Sequence, residues 1–214
     1  MREQKLVIAI DGPAAAGKGT LARLLAAHFG LPHLDTGLLY RAVARRMLDQ
    51  GADPADQVAA ERAAKALQPA ELERGDLRTQ EVDRAASTVA AHPAVRAVLR
   101  AFQRRFPAER GAVMDGRDIG SVIFPEATVK LFVTASPKAR AERRWRELTA
   151  RGITAAPATI AAEIAERDHQ DESRPVGRLV EACGAVHIDT TDLDAEQTFA
   201  VALSAVKAHI REVL

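Results

Sequence analysis

A short apolar run followed by a glycine-rich loop constrains the fold of this chain more than any other feature. Residues Leu6 to Ile10 are all apolar, and the segment from Gly12 to Thr20 reads Gly-Pro-Ala-Ala-Ala-Gly-Lys-Gly-Thr. A continuous apolar run is typical of a strand covered on both faces, as in a parallel sheet. The apolar periodicity from Leu21 to Phe29 then predicts a helix. This order of strand, loop and helix predicts a phosphate-binding P-loop.

The chemistry of this loop indicates that the chain binds a nucleoside triphosphate. A glycine-rich turn before a helix presents several backbone N–H groups to phosphate oxygens, and Lys18 adds a positive charge. The alternative is a plain glycine- and alanine-rich turn, but a lysine at a helix N-terminus is unfavourable unless an anion binds there. Gly19 stands where a hydroxyl residue usually follows the lysine, and the hydroxyl comes one residue later. The predicted ATP-binding residues are Gly12, Pro13, Ala14, Ala15, Ala16, Gly17, Lys18, Gly19 and Thr20.

The remaining apolar runs predict an α/β fold with a doubly wound parallel sheet of about five strands. A short strand ends at Leu34-Asp35, and further runs lie at 112–114, 129–133 and 185–188. A length of 214 residues suits one such domain with insertions.

Helical patterns fill the long connections between these strands. Residues 36–106 form a helical tract with breaks near Gly51-Ala52-Asp53-Pro54, at Pro69 and at His92-Pro93. Helices are also predicted from Pro137 to Arg151 and from Ala158 to Gln170, separated near Gly152, and an amphipathic helix from Asp194 to Leu214.

Composition disfavours several classes of protein. The formal charge of +1 provides no broad basic field for nucleic acid. Cys183 is the single cysteine, and the six histidines lack the short spacings of a zinc site. The N-terminus leads directly into the first strand, which leaves no room for a signal peptide, and no apolar run reaches membrane-spanning length. We therefore expect a cytoplasmic protein with no membrane or nucleic-acid partner.

A P-loop occurs in switch GTPases, motor ATPases and small-molecule kinases, so other motifs must decide among them. The guanine-reading Asn-Lys-x-Asp tetrapeptide is absent from the sequence, which disfavours a GTPase. The segments 34–41 and 113–120 both begin at the carboxyl end of a predicted strand, where ligands bind in open α/β sheets. Helix capping by Asp35 or Thr36, and an Asp–Arg surface turn at 115–118, are the structural alternatives.

Two arginine-bearing segments joined through Gly152 resemble a closing lid. Arg140, Arg143 and Arg144 share one helix face, where like charges repel unless anions or acidic residues such as Glu142 and Glu147 compensate. A second group of charged residues, Arg167, Asp171 and Arg174, follows at near-helical spacing.

Together these motifs resemble the cytidylate kinase family, the bacterial-type (d)CMP kinases. The resemblance rests on GKGT, LDTGLLYR, RTQEV, AASTVAAHPAVR, DGRDIG, VIFPEA and ERDHQDESR, which extend over most of the chain. It implies transfer of the γ-phosphoryl group of ATP to CMP or dCMP, giving ADP and CDP or dCDP, with Mg²⁺ bound to the phosphates. It further implies a P-loop core at about 1–50, 107–140 and 180–214, an NMP-binding region at about 51–106 and a lid at about 141–178. We expect one kinase domain of residues 1–214 that acts as a monomer.

The resemblance also assigns residue roles. The implied catalytic residues are Lys18, Arg117, Arg144 and Arg167, with Arg143 as a substitute for Arg144 as the lid arginine. Ser87, Arg96 and Asp118 are expected to read cytosine. Thr36, Tyr40, Arg41, Arg117 and Arg167 are expected at the acceptor phosphate, and Asp171 and Arg174 at the sugar or phosphates. The metal ligands are left open, with Asp35 and Asp115 as candidates for a supporting position.

The chain departs from the family pattern at two places. Thr36 replaces the usual serine, which retains a hydroxyl. The region 68–77 is short and has no strand pattern, which predicts a mostly helical NMP-binding insertion without a small antiparallel sheet. Two alternatives remain at this point: a kinase for another acceptor, such as UMP, AMP or a shikimate-like hydroxyl compound, and a non-catalytic nucleotide-binding or nucleic-acid-associated module.

Overall fold

The computed structural model describes residues 5–107 and 110–213 and contains a five-stranded sheet. The strands are β1 (Leu6–Asp11), β2 (His33–Asp35), β3 (Gly111–Gly116), β4 (Val129–Thr134) and β5 (Val186–Asp189), arranged in the order β2-β3-β1-β4-β5. Strand β1 pairs in parallel with β3 and β4, and β4 pairs in parallel with β5. Strands β2 and β3 lie on one side of β1, and the later strands β4 and β5 lie on the other. The end of β1 is therefore the switch point at which such folds bind ligands.

The helices alternate with the strands, as the sequence predicts. They are α1 (Lys18–Phe29), α2 (Thr36–Asp49), α3 (Gln57–Lys65), α4 (Gln80–Val89), α5 (Pro93–Arg105), α6 (Pro137–Ala150), α7 (Pro157–Ser173) and α8 (Ala195–Val213). Within the described residues, no helix is both long and apolar enough to cross a membrane.

The chain divides into two compact units, and the first contains most of the sheet. This unit comprises residues 1–34, 107–173 and 177–214. Its core combines Ile8 and Ile10 of β1 with Val113 of β3, Leu131 of β4 and Leu25 of α1. All of these side chains are fully buried or nearly so, which explains why the strands have continuous apolar sequences. The predicted doubly wound α/β fold is confirmed.

Helices α6 and α7 belong to the same unit and pack against each other through Leu148, Ile160 and Ile164. They are separated near Gly152, which adopts the left-handed conformation with φ +73°. The predicted break is confirmed, and both helices lie within a few residues of their predicted bounds. The last predicted helix also forms, although Leu214 lies outside the described residues.

The second unit is helical and comprises residues 35–106 and 174–176. It contains α2 to α5 and a short 3₁₀ helix at Pro69–Glu73. Asp56 caps α3, Thr79 caps α4, and Pro93 begins α5, so polar and proline residues set the helix boundaries. No strand occurs among residues 36–106, all of which the structure describes. The predicted absence of a small antiparallel sheet is confirmed, whereas the division into core, NMP-binding region and lid stays a prediction.

Candidate active site

The P-loop joins the end of β1 to the start of α1, and the backbone requires glycine at two of its positions. Gly12 has φ +151°, and a Cβ added there would lie 1.9 Å from the carbonyl oxygen of Val133. Gly17 has φ +90° and is the N-cap residue of α1. A left-handed glycine at this position directs the chain into the helix without the steric cost of a side chain. The first-turn N–H groups of α1 therefore lie beside the loop, as phosphate binding requires.

Lys18 is the central charge of this loop. Its Nζ donates a hydrogen bond to Pro13 O at 2.6 Å, and the residue is 6% exposed. Burial, together with the nearby Arg117 guanidinium, lowers the pKa of Lys18 to about 7, against the opposing effects of Asp115, Asp171 and Asp11. A phosphate at this amine would favour its charged form.

The DGRD segment, Asp115–Asp118, follows strand β3 within the same unit. Asp118 is 5% exposed, and Arg117 Nε donates to Asp171 Oδ2 at 2.6 Å. The structure therefore brings Lys18, Arg117 and Asp171 into one charged region, because Arg117 and Asp171 both shift the pKa of Lys18. Asp118 adjoins this region through Asp11, since both Asp118 and Lys18 shift the pKa of Asp11. The alternative of an exposed surface turn does not hold for this segment, because Asp115 and Asp118 are buried.

Asp115, a candidate supporting residue for a metal in the sequence, lies beside the first turn of α1. Its Oδ1 lies 2.7 Å from His33 Nε2. Its Oδ2 would lie 3.8 Å from a Cβ added at Gly19. The hydroxyl of Thr20, one residue further along, accepts a hydrogen bond from Arg23 at 3.2 Å. Within the described residues, no group of three or more His, Cys, Asp or Glu side chains could hold a metal by itself.

The three arginines predicted to share a face of α6 have different surroundings. Arg140 is buried and makes a double hydrogen bond to Asp168 of α7, at 2.9 and 2.7 Å. Arg143 donates to the hydroxyl of Thr190 at 2.8 Å and to the carbonyl oxygens of Thr190 and Leu193. Arg144 pairs with Glu147 at 3.0 Å. The solvated-face alternative is therefore wrong for Arg140, which is buried and forms an ion pair with Asp168 of the next helix.

A cavity of about 490 Å³ lies between the end of the P-loop, helix α6 and the connection from β5 to α8. Thr190 lies at its edge and joins three elements, because its hydroxyl is 3.2 Å from Ala16 O and 3.0 Å from Thr134 O while it accepts from Arg143. The size of the cavity is in the range of small-ligand sites. The residues that line it are Ala16, Gly17, Thr20, Leu21, Ala139, Glu142, Arg143, Arg146, Thr190, Thr191, Asp192, Leu193, Asp194, Ala195 and Thr198.

The helical unit groups several of the predicted acceptor residues. Arg41 Nε donates to Asp83 Oδ1 at 2.7 Å, and Ser87 Oγ donates to the carbonyl oxygen of Asp83 at 3.3 Å. Arg96 is 7% exposed, and its guanidinium lies 5.5 Å from the centre of the Tyr40 ring. Arg41 and Ser87 therefore both donate to Asp83, and Arg96 lies over the ring of Tyr40.

Three further residues of the helical unit complete this description. Thr36 begins α2 and is buried, and Arg174 is 8% exposed. Asp35 is the N-cap residue of α2 but makes no capping hydrogen bond with its side chain, and its Oδ2 accepts from Arg78 at 2.7 Å instead. Side-chain capping by Asp35 therefore does not explain this motif.

Comparison with known proteins decides the family. The family model described as cytidylate kinase matches residues 8–208. The chain belongs to the cytidylate kinase family. A cytidylate kinase of Acidiphilium cryptum (strain JF-5) is 59% identical over 201 residues, which cover 94% of this chain and 95% of that protein. A cytidylate kinase of Granulibacter bethesdensis is 58% identical over 195 residues, which cover 91% and 93% of the two chains.

Solved structures with the same fold are more distant from this cytidylate kinase family member in sequence. A gluconokinase from Sinorhizobium meliloti 1021 superimposes with a TM-score of 0.52 at 14% identity, over 98% of this chain and 97% of that chain. TT1252 from Thermus thermophilus gives a TM-score of 0.51 at 21% identity, over 96% and 98%. These two structures support the fold.

Sequence reasoning missed several residues of this candidate site. Thr190 and Thr191 follow directly after β5, so their position at the carboxyl end of a parallel strand was a usable signal. Asp11 was also missed, although it ends β1 directly before the P-loop; both of its carboxylate oxygens accept backbone hydrogen bonds from the residues after the DGRD segment. Arg143 itself was singled out from the sequence, but its partners Thr190 and Leu193 carried no signal, since they lie 47 and 50 residues away.

Proposed function

We propose that the sheet-containing unit binds ATP, that CMP or dCMP is the acceptor, and that the residues assigned from the sequence carry the transfer. Membership of the cytidylate kinase family makes the chain a nucleoside monophosphate kinase, in which a phosphoryl group passes from ATP to CMP or dCMP. The products are ADP and CDP or dCDP. The observation that best supports the residue assignment is the buried Lys18 of the P-loop, which is electrostatically coupled to Arg117 of the DGRD segment.

ATP binds in this proposal with its phosphates on residues 12–20 and its nucleoside in the adjacent cavity. Backbone N–H groups at the start of α1 and the Lys18 ammonium bind the phosphates. The cavity begins at Gly17 and Thr20, so a base and ribose that continue from those phosphates would enter it. The Arg143–Thr190 hydrogen bond holds one wall of this cavity, because it connects α6 to the segment after β5.

Mg²⁺ is the metal we propose to accompany ATP. It prefers oxygen ligands, keeps several waters and needs few protein ligands besides the phosphates. The Asp115 carboxylate and the Thr20 hydroxyl fit this requirement, since both belong to the region around the first turn of α1. The ion supplies charge neutralisation at the phosphates when it is bound.

The acceptor assignment follows the chemistry of cytosine. Its exocyclic amine is a donor, so the carboxylate of Asp118 can accept from it, while Arg96 and Ser87 can donate to N3 and O2. Uracil would place an acceptor against Asp118, which predicts discrimination against UMP. Thr36, Tyr40, Arg41, Arg117 and Arg167 are assigned to the acceptor phosphate, and Asp171 and Arg174 to the sugar or phosphates.

The chemistry of transfer needs arginines more than a general base. A nucleoside monophosphate is largely dianionic at neutral pH, so its oxygen is already nucleophilic. Positioning and stabilisation of the charge on the transferred group then supply the catalysis. Arg144 is the better candidate for the lid arginine, because Arg143 is held by Thr190 and Leu193. Action as a monomer in the cytoplasm belongs to the same proposal.

The test of this function is ADP formation from ATP and Mg²⁺ with CMP, dCMP, UMP, AMP and shikimate supplied separately at equal concentration. Activity confined to CMP and dCMP is the expected result. Turnover with another acceptor would assign different roles to Ser87, Arg96 and Asp118. Absence of turnover with all five compounds would support a nucleotide-binding module instead.

A single substitution tests the cytosine-reading role. Asp118→Ala is expected to lower kcat/KM for CMP by about a hundredfold, since a buried polar contact to the base is lost. ATP binding should change little, which a titration of the protein with an ATP analogue would measure. An equal loss of ATP affinity would contradict the assignment of Asp118 to the acceptor.

A further inference from the structure

Asp11 is a buried carboxylate that the proposed reaction does not use. It is the last residue of β1 and is 3% exposed. Its Oδ1 accepts from Ile119 N at 2.8 Å and its Oδ2 accepts from Gly120 N at 2.7 Å. A buried carboxylate carries a large desolvation cost, so a fold that retains it here gains something that an apolar residue could not supply.

The hydrogen bonds of Asp11 reach the peptide group directly after Asp118. The N–H of that group belongs to Ile119 and donates to Asp11, while its carbonyl, that of Asp118, accepts from Val122 N at 2.9 Å and Ile123 N at 3.0 Å. These carbonyl contacts begin the π-helical turn Ile119–Ile123. The peptide is therefore held on both sides, which fixes the backbone dihedral that sets the direction of the Asp118 side chain.

Asp11 is itself a rigid support. The next residue, Gly12, packs so closely against the carbonyl of Val133 that no side chain would fit there. On the other side, Asp11 is paired with Gly116 of β3 in the sheet, and with Phe132 of β4. A displacement of Asp11 would disturb the central strand, so the Asp11 carboxylate holds the turn after the DGRD segment in a fixed position.

We propose that Asp11 is a positioning residue for acceptor specificity: it fixes the peptide after Asp118 and so holds the Asp118 carboxylate where it can distinguish cytosine from uracil. This inference rests on the proposed function, in which Asp118 accepts from the cytosine amine. Asp11 contacts no substrate in this mechanism and acts through Asp118.

The charge of Asp11 adds a pH dependence to this role. Burial, together with the Asp118 carboxylate, raises the pKa of Asp11 to about 6, against the opposing effects of its backbone hydrogen bonds and of the charge of Lys18 from α1. Strand β4 carries Lys130, whose Nζ donates to Pro125 O at 3.1 Å. Protonation below the pKa turns one acceptor oxygen into a donor that faces an N–H group, so the support for Asp118 weakens as the pH falls.

The experiment measures the ratio of kcat/KM for CMP to kcat/KM for UMP in Asp11→Asn. This substitution keeps the shape and replaces one acceptor oxygen by an NH₂ group, and we expect the ratio to fall about tenfold. A purely structural role would lower the active fraction equally for both acceptors and leave the ratio unchanged. The matched control is Asp56→Asn, because Asp56 also accepts from two backbone N–H groups, those of Val58 and Ala59, at the start of α3. Its ratio should stay at the wild-type value.

The wild-type protein supplies a second measurement that needs no variant to fold. Between about pH 7.5 and about pH 5.5 its ratio should decline several-fold as Asp11 takes up a proton, whereas that of Asp11→Asn should stay flat. The phosphate groups of CMP and UMP titrate alike, so their protonation cancels in the ratio. A wild-type ratio that does not change with pH would overturn the proposal.

Asp118→Ala separates this inference from the proposed function. If Asp118→Ala lowers the ratio and Asp11→Asn does not, the positioning role of Asp11 is overturned and the cytosine-reading role of Asp118 stands. If Asp118→Ala leaves the ratio unchanged, the cytosine-reading role fails and the Asp11 inference fails with it.

Discussion

Burial of Lys18 lowers the pKa of its amine, and a bound anion would raise that pKa again. With a pKa of about 7, its amine is largely neutral at pH values above that, although a lysine in water stays charged. The phosphates of ATP favour the ammonium form, so the pKa rises when ATP binds. Because the bound state then holds more protons than the free state, ATP binding should take up protons and weaken as the pH rises above about 7.

This effect predicts proton uptake of about 0.5–1 proton per MgATP at about pH 8. Calorimetric titrations in two buffers with different ionisation enthalpies measure this number from the difference in observed heat. Lys18→Met is the control, since it removes the titrating amine and should abolish the uptake even where weak binding persists. Equal heats in the two buffers for the wild-type protein would show that Lys18 is already fully charged before ATP binds.

For single residues, the sequence predicted where a side chain lies in the fold better than it predicted which residues that side chain contacts. Lys18 and Asp118 follow strands, and the end of a parallel strand has a defined place in the fold, so both could be placed in advance. Arg140 and Arg143 could not, although their shared helix face was foreseen. Their partners, Asp168 and Thr190, lie 28 and 47 residues away, and local spacing contains no information about such contacts.

At the scale of elements, the Arg140–Asp168 pair is a polar connection between α6 and α7. The Arg140 side chain is 5% exposed and that of Asp168 is 19% exposed. Arg140 also donates to Ala135 O at 2.9 Å, which ties it to the end of β4. Removing the carboxylate leaves a buried guanidinium with fewer partners, and breaking such a pair costs much more than breaking a surface pair.

Asp168→Asn should therefore lower the free energy of unfolding by about 2–3 kcal/mol. Urea unfolding followed by circular dichroism measures this change. Glu142→Gln is the matched control, because the Glu142–Arg146 pair links the same helix α6 to itself and both side chains are more than half exposed. Glu142→Gln should lower the free energy of unfolding by less than about 0.5 kcal/mol. Similar losses in the two variants would mean that Arg140 finds other partners when Asp168 is changed.

The sequence predicted the elements themselves well, for identifiable reasons. Each strand of the sheet core was marked by a continuous apolar run, and helix boundaries were marked by residues such as Pro93 and Gly152. The cavity wall after β5 was not predicted, because Thr190 and Thr191 belong to no recognised motif. The π-helical turn at Ile119–Ile123 was also missed, since the N–H groups of Ile119 and Gly120 donate to Asp11, which is more than a hundred residues away.

At the scale of the whole molecule, the chain divides into two compact units, and each of them buries apolar side chains. The sheet-containing unit is built around residues such as Ile8 and Leu131, and the helical unit buries residues such as Leu39, Val82 and Leu99. A ligand stabilises the region that it contacts, so each nucleotide should slow amide hydrogen exchange mainly where it binds. ATP and CMP should therefore give different protection maps.

We expect an unreactive ATP analogue with Mg²⁺ to protect residues 12–20 and 190–198, and CMP alone to protect residues 36–41 and 80–96. Hydrogen exchange measured by mass spectrometry resolves these segments, and UMP at the same concentration serves as a matched control that should protect the second set less. Both predictions follow from local contacts, since the P-loop and the cavity wall belong to one unit while Tyr40, Ser87 and Arg96 belong to the other. Protection of residues 12–20 by CMP without any effect on 80–96 would contradict the assignment of Ser87 and Arg96 to the acceptor, because a nucleotide that contacts these side chains must slow the opening of the helices that carry them.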